Sequence, residues 1–170
     1  MRCQGVSWPD PYQRDPLTGK LYVTGIIWLH SKFKLVDVKD GLSHTYMLGE
    51  KYIDSNMSSN GVSWGDDQGP FVSDDRDIVR WAAWTEMANP PDPKNYFLPH
   101  HDTQGNPQDP TDVNYGLWGN GTYNFGSAHP FGFNMALCDG SVRNVSYDVS
   151  EEVHREYCNR TDGKFTALPE

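Results

Sequence analysis

The stretch Phe133-Asn134-Met135-Ala136-Leu137-Cys138-Asp139-Gly140-Ser141-Val142-Arg143-Asn144-Val145-Ser146-Tyr147 decides the fold of this chain. Phe133, Met135 and Leu137 alternate with Asn134 and Ala136, the period-2 pattern of a half-buried strand. Residues 142–147 alternate again after Asp139-Gly140. Asp-Gly between two alternating runs is a hairpin signal, because a two-residue type I′ turn needs positive φ at both positions. The expected tip is therefore Asp139-Gly140, with Leu137 facing Val142 and Cys138 facing Ser141.

On the C-terminal side, Ser150 followed by Glu151-Glu152 reads as an N-cap and an acidic first turn. A short helix is expected to run to about Cys158 and to stop before Gly163. On the N-terminal side, residues 45–52 read as a strand and residues 34–38 as a short helical turn, ended by Asp40-Gly41. Residues 20–29 are rich in β-branched and aromatic side chains and predict another strand. Residues 78–87 fit a strand or a helical turn. The segments 54–78 and 89–121 are polar, rich in Gly, Pro, Asn and Asp, and read as long connections. The fold class is α+β: an antiparallel sheet with long loops and few short helices.

Composition agrees. The 170 residues suit one domain, and 36% hydrophobic content with 13% aromatics is globular. There are seventeen Asp and only six Glu, beside 16 Gly and 12 Pro. Asp bonds nearby backbone and favours turns, whereas Glu favours helices. The net charge of -9 and the absence of a Lys/Arg cluster argue against nucleic acid. Cations, or basic patches on a protein, are the electrostatically matched partners.

No stretch reaches the roughly 20 apolar residues that span a bilayer. Residues 1–5 lack the apolar run of a signal peptide. The three cysteines, Cys3, Cys138 and Cys158, include no C-x-x-C pair, so a structural zinc site is not expected. One bridge between Cys138 and Cys158 is open in an oxidising compartment.

Two segments carry a family resemblance. One runs from Ser31 through Asp40-Gly41 to Thr45 and on to Gly49-Glu50-Lys51. The other holds Phe125-Gly126-Ser127-Ala128-His129-Pro130 and Cys138-Asp139-Gly140-Ser141. His129 and Asp139-Gly140 are separated by nine residues. This resembles the C-terminal globular part of the bacterial prepilin-type family named for its H-x9-DG motif, domain of unknown function 1559. The tail, with Asn159-Arg160-Thr161-Asp162-Gly163, is similar too. The resemblance implies a pilin-like (pseudopilin-like) antiparallel sheet, an extracytoplasmic location, a type II secretion or type IV pilus-like route, and protein partners among pilin-like subunits or envelope proteins. The family's cleavage site and long hydrophobic helix have no counterpart in these residues, so no membrane insertion by this chain is expected.

The motif residues His129, Asp139, Gly140, Asp40, Gly41 and Glu50 are expected to be structural. His129 reads as a buried histidine bonded to backbone carbonyls before the hairpin, with a metal-ligand or acid/base role as the rival. His100-His101-Asp102 resembles a metal-binding fragment, but adjacent side chains of a strand point apart. A metal-dependent hydrolase would need three converging ligands and an open position. No G-x-S-x-G elbow, Walker A loop or G-x-G-x-x-G is present. The expected function is non-catalytic, a structural or interaction module. A binding module is the alternative, using its aromatic surface for glycan or Asp66, Asp67, Asp74, Asp75 and Asp77 for Ca²⁺. Those five lie close together in a glycine-containing segment, and Ca²⁺ takes six to eight oxygens from such loops.

Overall fold

A computed structural model of the chain describes residues 2–3, 24–27, 32–55, 78–82, 97–102, 123–164 and 166–169. Seven strands and one α-helix fall among them: β1 (Arg2–Cys3), β2 (Tyr46–Gly49), β3 (Val79–Arg80), β4 (His100–His101), β5 (Gly126–Ser127), β6 (Gly132–Leu137), β7 (Val142–Ser146) and α1 (Glu151–Tyr157). The class is α+β. Its centre is a three-stranded antiparallel sheet in the order β2-β6-β7. Two short parallel pairs, β1 with β3 and β4 with β5, lie beside it.

The alternation in β6 does what its pattern demands. Phe133, Met135 and Leu137 are fully buried, while Asn134 and Ala136 are only partly so. Their inner face joins Tyr46, Phe125, Val145, Val149, Tyr157 and Cys158 in the main core. Helix α1 covers that face. Ser150 caps it as expected, its Oγ accepting the Val153 N–H at 3.3 Å. Gly163, at φ 74, lies beyond the helix end. A second, smaller core holds Val79, Trp81, Phe97 and Tyr123, with the Trp81 and Tyr123 rings stacked at 4.4 Å.

The hairpin is present, but its loop and register differ from expectation. Ala136, not Leu137, pairs with Val142. The Leu137 N–H donates to Ser141 O, and the Gly140 N–H donates to Leu137 O. This is the bonding of a three-residue loop, a type I turn followed by a left-handed glycine, rather than of a two-residue type I′ turn. Gly140 takes φ 87. The cause lies in the residues just before β2: the Cys138 N–H donates to Thr45 O and the Asp139 N–H to Leu42 O. Cys138 is thereby drawn to the β2 side and cannot face Ser141. Asp139 closes the loop through Oδ1, which accepts from Ser141 N–H at 2.8 Å and Ser141 Oγ at 2.7 Å.

Other expectations divide. The turn at 34–38 is a 3₁₀ helix over Leu35–Asp37, begun by a bond from Lys34 N–H to Asp37 Oδ2. The strand expected at 45–52 is β2, followed by a bridge from Lys51 to Phe125. The strand expected at 20–29 is not formed at residues 24–27. Arg160 takes their carbonyls instead, its N–H donating to Thr24 O and its Nη1 to Gly25 O at 2.7 Å. The rest of that expected strand lies outside the described residues. Of the segment 78–87, residues 79–80 form β3 and residues 83–87 lie outside the described residues. Cys138 and Cys158 are both buried and are not joined in a disulfide. Among the described residues, no helix is long and apolar enough to cross a membrane.

Two glycines give contrasting tests. A Cβ at Gly140 would meet nothing within 4 Å, so the cost there is backbone strain alone. Gly140→Val is expected to lower stability by about 1–2 kcal/mol, and Gly140→Asn by clearly less, because Asn tolerates the left-handed region. At Gly126 a Cβ would strike the backbone carbonyl of His100 in the paired strand. Gly126→Ala is expected to cost about 1–3 kcal/mol through overpacking. Urea unfolding of the three variants checks both, and equal losses for Gly140→Val and Gly140→Asn contradict the strain account.

Candidate functional site

Two of the motif residues, Glu50 and His129, come together. At Glu50 the chain leaves β6 and takes a new neighbour. The Glu50 N–H still donates to Asn134 O, but its carbonyl accepts from Gly126 N–H, and the next pairing is Lys51 with Phe125. Its side chain ties the two partners together. Oε2 accepts the Asn134 N–H at 2.6 Å, and Oε1 lies 3.3 Å from His129 Nε2. Glu50 and His129 come from the two separate segments of the sequence motif, and the fold brings them into contact.

His129 is not the buried histidine expected from its setting. Its side chain is 57% exposed, because residues 128–131 project into solvent before β6 begins. The fold grips its backbone as well as its ring. The His129 N–H donates to Ser127 Oγ at 3.1 Å, and Tyr147 Oη donates to His129 O at 3.1 Å. Tyr147 Oη also donates to Ser127 O, and Ser127 Oγ donates to Gly132 O. His101 Nε2 lies 3.2 Å from Ala128 O, with its ring edge-on to Tyr147. Thus three side chains pin a four-residue turn that ends in the exposed Phe131, 84% accessible.

Asp102 joins this neighbourhood. Its N–H donates to Ser127 O, and its Oδ1 accepts from Ile53 N–H at 3.1 Å. Burial pushes its carboxyl above the usual carboxylate range; the Ile53 N–H pulls the other way, as do the nearby His101 and His129. Burial likewise raises the Tyr147 phenol. The His100-His101 pair does diverge: His100 packs edge-on to Tyr52 and His101 edge-on to Tyr147. Among the described residues, no three His, Cys, Asp or Glu side chains are placed to hold a metal ion.

The other motif residues lie elsewhere. Asp139 sits at the far end of β6 from His129, so the two do not meet. Its bonds from the Ser141 hydroxyl, then from the Ser141 N–H, hold its carboxyl below the usual range. Asp40, buried beside Gly41, clamps the tail: Oδ2 accepts from Asp162 N–H and Oδ1 from Gly163 N–H, both at 2.8 Å. Gly41 takes φ 100, which supplies the turn into the 3₁₀ helix Leu42–His44. Asp66, Asp67, Asp74, Asp75 and Asp77 lie outside the described residues. The sequence reading missed Ser127, Asn134 and Tyr147. Tyr147 left one trace, an aromatic closing the alternating run of β7.

Comparison with known proteins follows the same residues. The family described as a protein of unknown function, DUF1559, matches residues 12–152, and no curated protein or solved structure matches. That span contains Asp40, Glu50, His129 and the Asp139-Gly140 turn, and the chain belongs to the DUF1559 family.

Proposed function

We propose that the chain is a non-catalytic, extracytoplasmic, pseudopilin-like module that acts through contacts with protein partners, namely pilin-like subunits or envelope proteins. One observation supports this most directly. Each motif carboxylate holds the protein's own backbone: Asp40 two tail N–H groups, Glu50 the Asn134 N–H, and Asp139 the Ser141 N–H. These fix where segments join. What remains for a partner is the surface they hold in shape. Leu48, Ala136 and Val142 lie abreast on the outer face of the sheet, Leu48 and Val142 exposed.

Photoreactive side chains at Val142 and Phe131, introduced in the producing cells, test the reading. Adducts with envelope or pilin-like proteins are the expected result. Adducts with cytoplasmic proteins alone, or a turnover activity lost in Glu50→Gln with the fold intact, overturn it.

The structural role of the motif also has a thermodynamic signature. Asp40→Ala leaves two N–H groups near Asp162 and Gly163 without their buried acceptor. Bonds to charged groups contribute about 1.5–3 kcal/mol each, so losing two is expected to cost about 3 kcal/mol or more. Chemical denaturation gives the stability, and amide exchange at 162 and 163 locates the change. Loss of less than about 0.5 kcal/mol contradicts a structural role for Asp40.

A further inference from the structure

His154 stands in the middle of α1 with its ring turned into the core. The residue is 1% exposed, and neither Nδ1 nor Nε2 has a hydrogen-bond partner. Its neighbours are rings: Tyr46 from β2 at 5.7 Å, Phe125 at 5.7 Å and Phe133 from β6 at 6.0 Å. Phe125 and Phe133 carry no charge, and Tyr46 offers a phenol rather than a carboxylate. On its own helix, Glu151, Glu152, Arg155 and Glu156 carry charge without bonding the imidazole, and Glu156 Oε2 accepts the Thr166 N–H instead. A buried polar group without a partner is costly, and a buried charge without one far more so.

The helix is also poorly equipped to stand alone. It has seven residues, well below the length at which an isolated helix persists in water. Its ends are fixed independently: β7 precedes it, and Asp40 and residues 24–25 hold the segment after it. The sheet beneath keeps its own bonds, with β6 paired on both edges.

We propose that α1 is an acid-released latch: on mild acidification His154 takes a proton that its aromatic surroundings cannot hold, and the helix opens while the β6–β7 hairpin and the Asp40 clip persist. Burial lowers the folded imidazole from 6.5 to about 3. Above 6.5 the folded helix has its full stability. As pH falls from 6.5 toward 3, the open helix binds a proton that the closed one refuses, so opening gains up to about tenfold per pH unit. The neighbouring rings offer some cation–π attraction to an imidazolium, which opposes release.

The experiment is amide exchange between pH 7 and 4.5, expressed as protection factors. Those at residues 154–158 are expected to fall steeply below pH 6, while those of β6 and β7 and of residues 162–163 hold. His154→Phe is expected to remove the pH dependence, and the double variant Glu151→Gln/Glu152→Gln to keep it. Unchanged protection of α1, loss of all segments together, or a pH dependence kept in His154→Phe overturns the latch. Should His154→Phe fail to fold, ¹³C-histidine NMR of the unaltered chain decides. An imidazole that becomes protonated near pH 6 with α1 still protected overturns the proposal; one that charges only in step with helix opening supports it.

Discussion

The rest of the structure depends on β6 being hydrogen-bonded along both edges. Antiparallel pairing with β7 on one side and β2 on the other leaves it no freedom of register. A one-residue slip would turn Phe133, Met135 and Leu137 outward together. The one irregularity lies on β2, where the pairing shifts between Tyr46 and Leu48. Tyr46 stands opposite Leu137 and Leu48 opposite Ala136, so one extra residue of β2 is absorbed there. The shift lets Tyr46 enter the core while Leu48 stays outside. The next residue, Gly49, faces Met135, and any side chain there would collide with Met135 and Phe125. Past that point β2 cannot follow β6 further, and Glu50 hands the chain to the residues before β5.

The tail closes the molecule by a second, electrostatic device. Arg160 is 3% exposed, its guanidinium 4.3 Å above the Phe33 ring and its Nη1 bonded to Gly25 O. Burial lowers it to about 10, and Asp37 and Asp40 work against that shift. It therefore remains a cation at neutral pH. Its backbone carbonyl accepts from Lys39 and Asp40 N–H groups, while the Asp40 carboxylate accepts from Asp162 and Gly163. Burying a charge is costly unless hydrogen bonds compensate. Here carbonyl, aromatic face and carboxylates surround the guanidinium, which ties residues 24–25, 33, 37–40 and 159–163 into one joint.

How far this could be read in advance varied with the range of the interaction. The alternation around Met135, the Ser150 cap and the helical turn at 34–38 are local patterns, and each gave its element. The loop at Asp139-Gly140 was legible as a turn but not as a three-residue turn. That depended on Thr45, more than ninety positions away, accepting the Cys138 N–H. The strand expected at 20–29 is not formed at residues 24–27 for a similar reason: Arg160 takes the carbonyls a neighbouring strand would have used. Glu50 and His129 were each noticed, but their contact is tertiary and no spacing announces it. β4 and β5 have two residues each and a polar composition, too short and too mixed for any period to show.

The H-x9-DG spacing itself has a physical meaning in this arrangement. The nine residues after His129 are Pro130 and Phe131 of the turn, the whole of β6, and Cys138. Extended chain rises about 3.3 Å per residue, so the two ends of the motif are separated by roughly 20 Å. A pair at that distance cannot share a substrate atom or a metal ion. Each end instead meets its own anchor: His129 meets Glu50, and Asp139 meets Ser141. With the anchors fixed, the number of residues between them fixes which side chains of β6 face the core. Adding or removing one would set the alternation of Phe133, Met135 and Leu137 against the pairing of β2 and β7. The motif thus measures the length of the central strand.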